Sequence, residues 1–328
     1  MRLKFFFSTL ALMLALFVAA ANAQQVTAAP EAPVQEPLKI SGRMFAEWLK
    51  TLGNQNDSGE NENTFQLTRV YLDFRKKIDS VWSMRATLDV GNDNQNTVDK
   101  DDSRYAAYIK YAYLQAMTDL GFGVLTAQFG MIGTPVIDLI DTQSDYRWLN
   151  QNYIDASKVV LHKQGTADVG SIGQSIDNSA DMGLSVSLNV AKMVTITGAV
   201  ANGEGYKKTN ELGYHDDGKA MYAMITVNPV QGLYAAGYYR TESTHDEYET
   251  ADDNFRQYYG ATLIYVYQGI RLGASYVLSS VSSAANVSGA DPAVAKYTLL
   301  DVFVMVNLKS LTGVPVLLAG RYAMGTTK

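Results

Sequence analysis

Eleven consecutive residues constrain this chain more than any other stretch: Val81-Trp-Ser-Met-Arg-Ala-Thr-Leu-Asp-Val-Gly91. Successive side chains on an extended strand point to opposite faces. Trp82, Met84, Ala86, Leu88 and Val90 therefore share one face, and Ser83, Arg85, Thr87, Asp89 and Gly91 share the other. The product is a ribbon with one greasy and one wet side. A soluble sandwich can hold one such ribbon. Here the pattern recurs down the chain, bounded alternately by tight turns and long polar loops. That recurrence predicts an all-β chain, a transmembrane antiparallel β-barrel.

The start of the chain reads as an export signal. Residues 1–23 carry a positive start (Arg2, Lys4), an apolar run (Phe5 to Ala20) and a small-x-small cleavage site at Ala21-Asn22-Ala23. These are the three zones of a secretory peptide, so the mature chain is expected to begin near Gln24. A retained anchor is the competing reading; the short run and its cleavage site favour removal. No later stretch is long and apolar enough for a helical span. With no cysteine, an exported chain has neither disulfides nor thiolate chemistry. Without Arg2 and Lys4, 25 basic residues face 33 acidic ones, and the net charge moves from -6 to -8. That balance excludes nucleic acid as a partner. The 21 tyrosines and 3 tryptophans suit the girdles where a barrel meets lipid headgroups.

Residues 24–38, rich in Ala, Pro and Gln, are expected to form a flexible periplasmic tail, and 39–328 the barrel. Thirteen strands are expected: Lys39–Leu52, Thr64–Lys76, Val81–Gly91, Tyr105–Met117, Gly123 to about Gly130, Asp181–Val190, Met193–Ala201, Lys219–Val227, Leu233–Thr241, Phe255–Tyr267, Ile270–Ser280, Val294–Leu308 and Val314–Met324. Bacterial barrels have an even number of strands, so an odd count implies a miscounted strand or missing C-terminal strands, about 14–16 in all. The second alternative is the expectation. Residues 131–180 interrupt the pattern, with only Tyr153 to Leu161 weakly strand-like. A long irregular stretch is often functional. Within a barrel it can fold inward and narrow the lumen.

The inward positions hold Arg43, Arg69, Arg75, Arg85, Arg240, Arg271 and Arg321, with Lys110 as a further candidate. Guanidinium groups bind oxyanions with two parallel bonds, and a basic ladder lowers the barrier for anions. Glu47, Asp73, Asp89, Asp181 and Asp301 also face in. The competing reading is that these charges pair across neighbouring strands and only keep the wall wet. In the inserted loop, Asp138, Asp141, Asp145 and Asp155 outnumber Arg147 and Lys158. At a constriction these acids favour cations or set up a transverse field; as a solvated lid they have no say. Trp148 and Tyr146 are expected to anchor the loop against the wall.

Catalytic signals are poor. His162, His215 and His245 lie in predicted loops or at strand ends, none at metal-ligand spacing with another. His215-Asp216-Asp217 and His245-Asp246-Glu247 read as solvated clusters rather than ion sites. Asn202-Gly-Glu-Gly-Tyr206 follows a strand and opens a polar loop, not a phosphate-cradling helix. No nucleophile elbow is present. The expectation is a non-enzyme with no cofactor and no metal.

Three stretches carry a family resemblance. They are Phe65-Gln-Leu-Thr-Arg-Val-Tyr-Leu-Asp-Phe74, Tyr108-Ile-Lys-Tyr-Ala-Tyr-Leu114 and Leu125-Thr-Ala-Gln-Phe-Gly-Met-Ile-Gly-Thr-Pro135. The first half of the mature chain resembles the phosphate-selective porin O/P family of Gram-negative outer membranes. The third stretch resembles that family's lead into its constricting loop. The resemblance implies a homotrimeric, water-filled channel in outer-membrane lipid, open to small hydrophilic solutes or inorganic ions. It does not name the solute. Few lysines line the wall and the candidate constriction is acidic, which argues against phosphate. A plugged structural or surface-interaction barrel is the alternative from another class.

Overall fold

The computed structural model describes residues 36–50, 63–93, 104–145, 147, 153–156, 158–159, 174–203, 205–207, 218–243, 255–283 and 293–327. The signal segment lies outside these residues. Thirteen strands form one antiparallel sheet in chain order. They are β1 (Lys39–Lys50), β2 (Asn63–Lys77), β3 (Trp82–Asp93), β4 (Arg104–Asp119), β5 (Gly123–Gly133), β8 (Ala180–Val190), β9 (Val194–Ala201), β10 (Ala220–Val227), β11 (Leu233–Ser243), β12 (Phe255–Tyr267), β13 (Ile270–Ser283), β14 (Ala293–Asn307) and β15 (Leu317–Thr327). Between β5 and β8 lie helix α1 (Pro135–Ser144), the single turn α2 (Tyr153–Ala156) and a two-residue pair, β6 (Lys158–Val159) with β7 (Gln174–Ser175). A five-residue helix, α3 (Leu308–Thr312), joins β14 to β15. Tyr153 to Leu161 is thus not one strand. β1 and β15 each pair on one side only.

The turns at one end are short, and their backbones explain the strand pairing. Ala191 and Lys192 have φ of 51° and 59°, and Gln268 and Gly269 have 43° and 91°. Two successive positive φ values make the hairpin turn whose twist matches that of the flanking strands. Each hairpin also fixes register, and therefore which face every side chain takes.

The wall is apolar without, and part of its inner face is charged. Met44, Phe65 and Phe129 on the outer face are 69%, 86% and 63% exposed, while Asp89, Lys110 and Arg240 on the inner face are 2%, 4% and 0% exposed. A water-soluble protein buries the opposite set. Among the described residues, no helix is long and apolar enough to cross a membrane.

A flat sheet would separate β1 from β13 by ten strand spacings, roughly 48 Å. Instead, Arg43 on β1 and Arg271 on β13 reach the same carboxylate, Asp145, at 3.2 and 3.6 Å. The sheet therefore curls, with α1 on its concave side.

Two bulges interrupt the alternation. Thr68 is extra in β2 against Phe45/Ala46, and Lys110 is extra in β4 against Thr87/Leu88. An extra residue re-aims the side chains beside it. Lys110 and Tyr111 consequently both face inward, with Nζ of Lys110 5.5 Å from the Tyr111 ring centre.

Candidate functional site: the inserted segment and its three walls

Thr134 and Pro135 start α1. Thr134 is extended (φ -70°, ψ 131°) and Pro135 takes the first helical position, where its missing N–H costs nothing. Asp145 closes the helix in the left-handed region at φ 56°, its N–H donating to the Asp141 carbonyl at 3.1 Å. The two ends of the insertion are tied together. The Thr134 hydroxyl donates to the Asn178 carbonyl at 2.6 Å, and the Thr134 N–H to that of Ser179 at 3.3 Å.

The first wall, β10 to β14, is sealed against the insertion. Val136, Ile137 and Ile140 of α1, Ile154 of α2 and Ile176 pack with Tyr238, Tyr258, Ile264, Val277, Leu299, Phe303 and Met305. Ile137, Ile140 and Ile154 are 0% exposed. Above this patch a buried ionic cluster pins the far end of the insertion. Tyr258 and Tyr222 donate to Asp177 at 2.7 and 3.0 Å. Arg240 lies 3.5 Å from Asp177 and donates to Glu242 at 2.7 Å, and Arg256 donates to Glu242 at 3.0 Å. Burial pushes the Asp177 carboxyl above its usual range, and the Arg240 charge opposes that rise. Gly203, at φ 96°, lies in the region that favours glycine, and a Cβ there would meet the Glu242 carboxylate.

The second wall, β2 to β4, is charged but compensated. Asp73 accepts from Arg75, Arg85 and Thr87. Arg69 lies 3.3 Å from Asp89, which also accepts from Tyr206 at 2.8 Å. Burial and the Asp89 carboxylate together hold the Tyr206 hydroxyl protonated far above its ordinary range. Lys110 donates to Tyr71 at 3.3 Å and stands over two tyrosine rings. From the insertion, Arg147 donates to Asp155 at 2.9 Å and lies 3.9 Å from Asp141. Burial raises Asp141 to about 6, with Arg147 opposing, and one of its oxygens is buried without a hydrogen-bond partner. Five cations (Arg69, Arg75, Arg85, Lys110, Arg147) thus face five carboxylates (Asp73, Asp89, Asp138, Asp141, Asp155).

The third wall, β5 with β8 and β9, is neutral and stands clear of α1. Between them lies a cavity of about 340 Å³, lined by Thr126, Gln128, Ser185, Ser187, Thr195, Thr197 and Thr226, and on the helix by Asp138, Leu139, Thr142 and Gln143. Asp138 is the one carboxylate among its lining residues.

Of the charges anticipated from the alternation, Arg43 and Arg271 reach Asp145 of the insertion, and Arg69, Asp73, Arg75, Arg85, Asp89 and Lys110 gather on β2 to β4. The pairing is what periodicity leaves open. Arg321 donates to Asp301 at 2.7 Å across β15 and β14, and Arg271 donates to the Gln143 carbonyl at 2.6 Å. Glu47 accepts from Gln66 at 2.6 Å. Asp181 accepts the N–H groups of Met182 and Gly203, so its work is to shape backbone. Trp148, Tyr146 and the three histidines lie outside the described residues. The anchoring expected of Trp148 and Tyr146 is supplied among the described residues by Val136, Ile137, Ile140, Ile154 and Ile176. Asp177, Glu242 and Arg256 were missed. Val136-Ile137 followed by Ile140 is the helical spacing that signals α1. Nothing in the sequence pairs Asp177 with Arg240.

No family model and no curated protein matches this chain. Among solved structures it is similar to OmpF of Salmonella typhi in complex with daunomycin, at 13% identity over 88% of this chain and 96% of that one, with a TM-score of 0.42. It is also similar to OmpT, a Vibrio cholerae outer-membrane protein in its trimer form, at 12% identity over 89% and 90% of the two chains, with a TM-score of 0.41.

Proposed function

We propose that this chain is an outer-membrane porin, a barrel through which small hydrophilic solutes or ions diffuse down their gradients. The observation that carries the reading is the inverted polarity of a curled thirteen-stranded wall, apolar outside and in part charged inside, with α1 laid across its concave face. Such a wall is stable where its outside meets lipid and its inside meets water. The insertion sets the width: α1 and its bracing residues fill the side against β10–β14 and leave space beside β5, β8 and β9. Within the same reading the chain forms a homotrimer and carries out no chemistry, needing neither metal nor cofactor. The phosphate-selective porin resemblance supplies a class of protein and not a phosphate preference, since the arginines of the concave face are paired with carboxylates.

One observation favours a plugged, structural barrel: the insertion is bolted to the wall by a dry apolar cluster and a buried ionic one. Current across a planar bilayer separates the readings. Refolded protein is expected to give discrete steps. Silence from demonstrably folded barrels would replace the porin with the plugged form.

A further inference from the structure

We infer that the solute this barrel passes best is uncharged and rich in hydroxyl or amide groups, and that it travels beside β5, β8 and β9. The inference rests on the porin reading and names its substrate class. Three observations converge on it. The cavity against α1 is bounded on the wall side by hydroxyls and amides, Thr126, Gln128, Ser185, Ser187, Thr195 and Thr197 among them. Each hydroxyl both donates and accepts, and each amide offers two donors and an acceptor. Such a lining exchanges hydrogen bonds with a sugar-like solute or with water at little cost. It offers a bare ion weaker compensation for its lost hydration than a ring of like charges does.

The charges that could discriminate among ions are spent elsewhere. Arg69 and Asp89, Arg85 and Asp73, and Arg321 and Asp301 are ion pairs at 3.3, 2.7 and 2.7 Å. Paired charges project little net field into the space they border. Among the described residues, the opposite wall offers no competing path at the level of α1, because Ile137 and Ile140 are packed there without a gap that exposes them. Asp138 borders the cavity but also faces Arg85, Lys110 and Arg75, so it gives at most a mild preference for cations.

The chain has no cysteine, so a single introduced thiol reports on one position. Ser187→Cys places it in the cavity and Ser279→Cys places it on the sealed wall, where Ser279 is 3% exposed. Both changes are nearly isosteric. Vesicles holding each folded variant are assayed for entry of a neutral pentose and for potassium chloride current in a salt gradient, before and after a bulky uncharged maleimide. The expected result is pentose entry with a reversal potential near zero at pH 7, and a severalfold loss of both pentose entry and current on labelling Ser187→Cys alone. Current with steep ion selectivity and no pentose entry would overturn the inference and leave the porin standing. Pentose entry blocked through Ser279→Cys but not through Ser187→Cys would overturn the path. Neither current nor pentose entry from folded protein would remove the porin reading itself.

Discussion

On the β10–β14 side of α1, Ile137 and Ile140 are fully buried against tyrosines and aliphatic side chains; on the side of β5, β8 and β9, Asp138 and Thr142 border about 340 Å³ of open space. Both walls come from strands with the same two-residue alternation. What differs is the inward set: Ile264, Val277, Leu299, Phe303 and Met305 on one side, and Ser185, Ser187, Thr195 and Thr197 on the other. Alternation makes a barrel, while the chemistry of its inward half decides which part of the interior is filled. A helix with one apolar face can be glued to only one wall. The space left over falls beside the wall that offers nothing to glue.

This comparison can be broken most forcefully at the buried cluster. Arg240→Leu leaves Asp177 and Glu242 without their shared cation, and breaking a buried pair this way costs about 3–5 kcal/mol. The folded form is expected to be lost at a clearly lower temperature in a heat-modification gel, and an unshifted transition would show the cluster to be solvated. Next in size is the apolar seal. Ile137→Ala and Ile140→Ala are each expected to cost about 2–5 kcal/mol. Because they loosen α1 without touching the strands, the barrel persists while single-channel current becomes noisy; a quiet current of unchanged size would mean that the helix is held by other contacts.

The third prediction uses Asp141. Burial raises its folded-state value to about 6. A carboxyl raised in the folded state binds its proton more tightly there than in the unfolded chain. Its penalty on stability is therefore full above about pH 6 and relieved as the pH falls towards about 4, the unfolded value. In the folded protein the Asp141 charge is lost as the pH falls through about 6, so the reversal potential is expected to move towards anions there. Asp141→Asn should diminish that movement, and an identical pH profile in the variant would reassign it to another group. The smallest effect is expected from Arg69→Gln combined with Arg85→Gln. Asp89 then loses its arginine and Asp73 keeps only Arg75, giving a modest shift towards cations. No shift would mean that these pairs stand too far from the path to be felt.

Much of this was legible in the sequence, and the physical reason is periodicity. Thirteen runs of alternation gave the strands, and parity within each run placed Arg85 and Asp89 inside and Leu88 outside. Lys110 resisted that reading because a bulge makes it and Tyr111 neighbours on one face, which strict alternation forbids. The insertion resisted for a different reason. Its helix announces itself with only Val136, Ile137 and Ile140, too few positions to outweigh the polar residues around them. The cluster that pins Asp177 joins it to residues 45 to 81 positions away and depends on the curl of the sheet, which no local pattern encodes.

The central claim, that α1 is a fixed wedge which sets the width of an open barrel, is tested most directly by single-channel conductance of the intact chain against a variant lacking Asp138 to Asp145. With both proteins shown to be folded, the deletion is expected to give larger current steps, since it removes most of the helix from the concave face. Steps of the same size in both would contradict the claim and return the insertion to the role of a bystander.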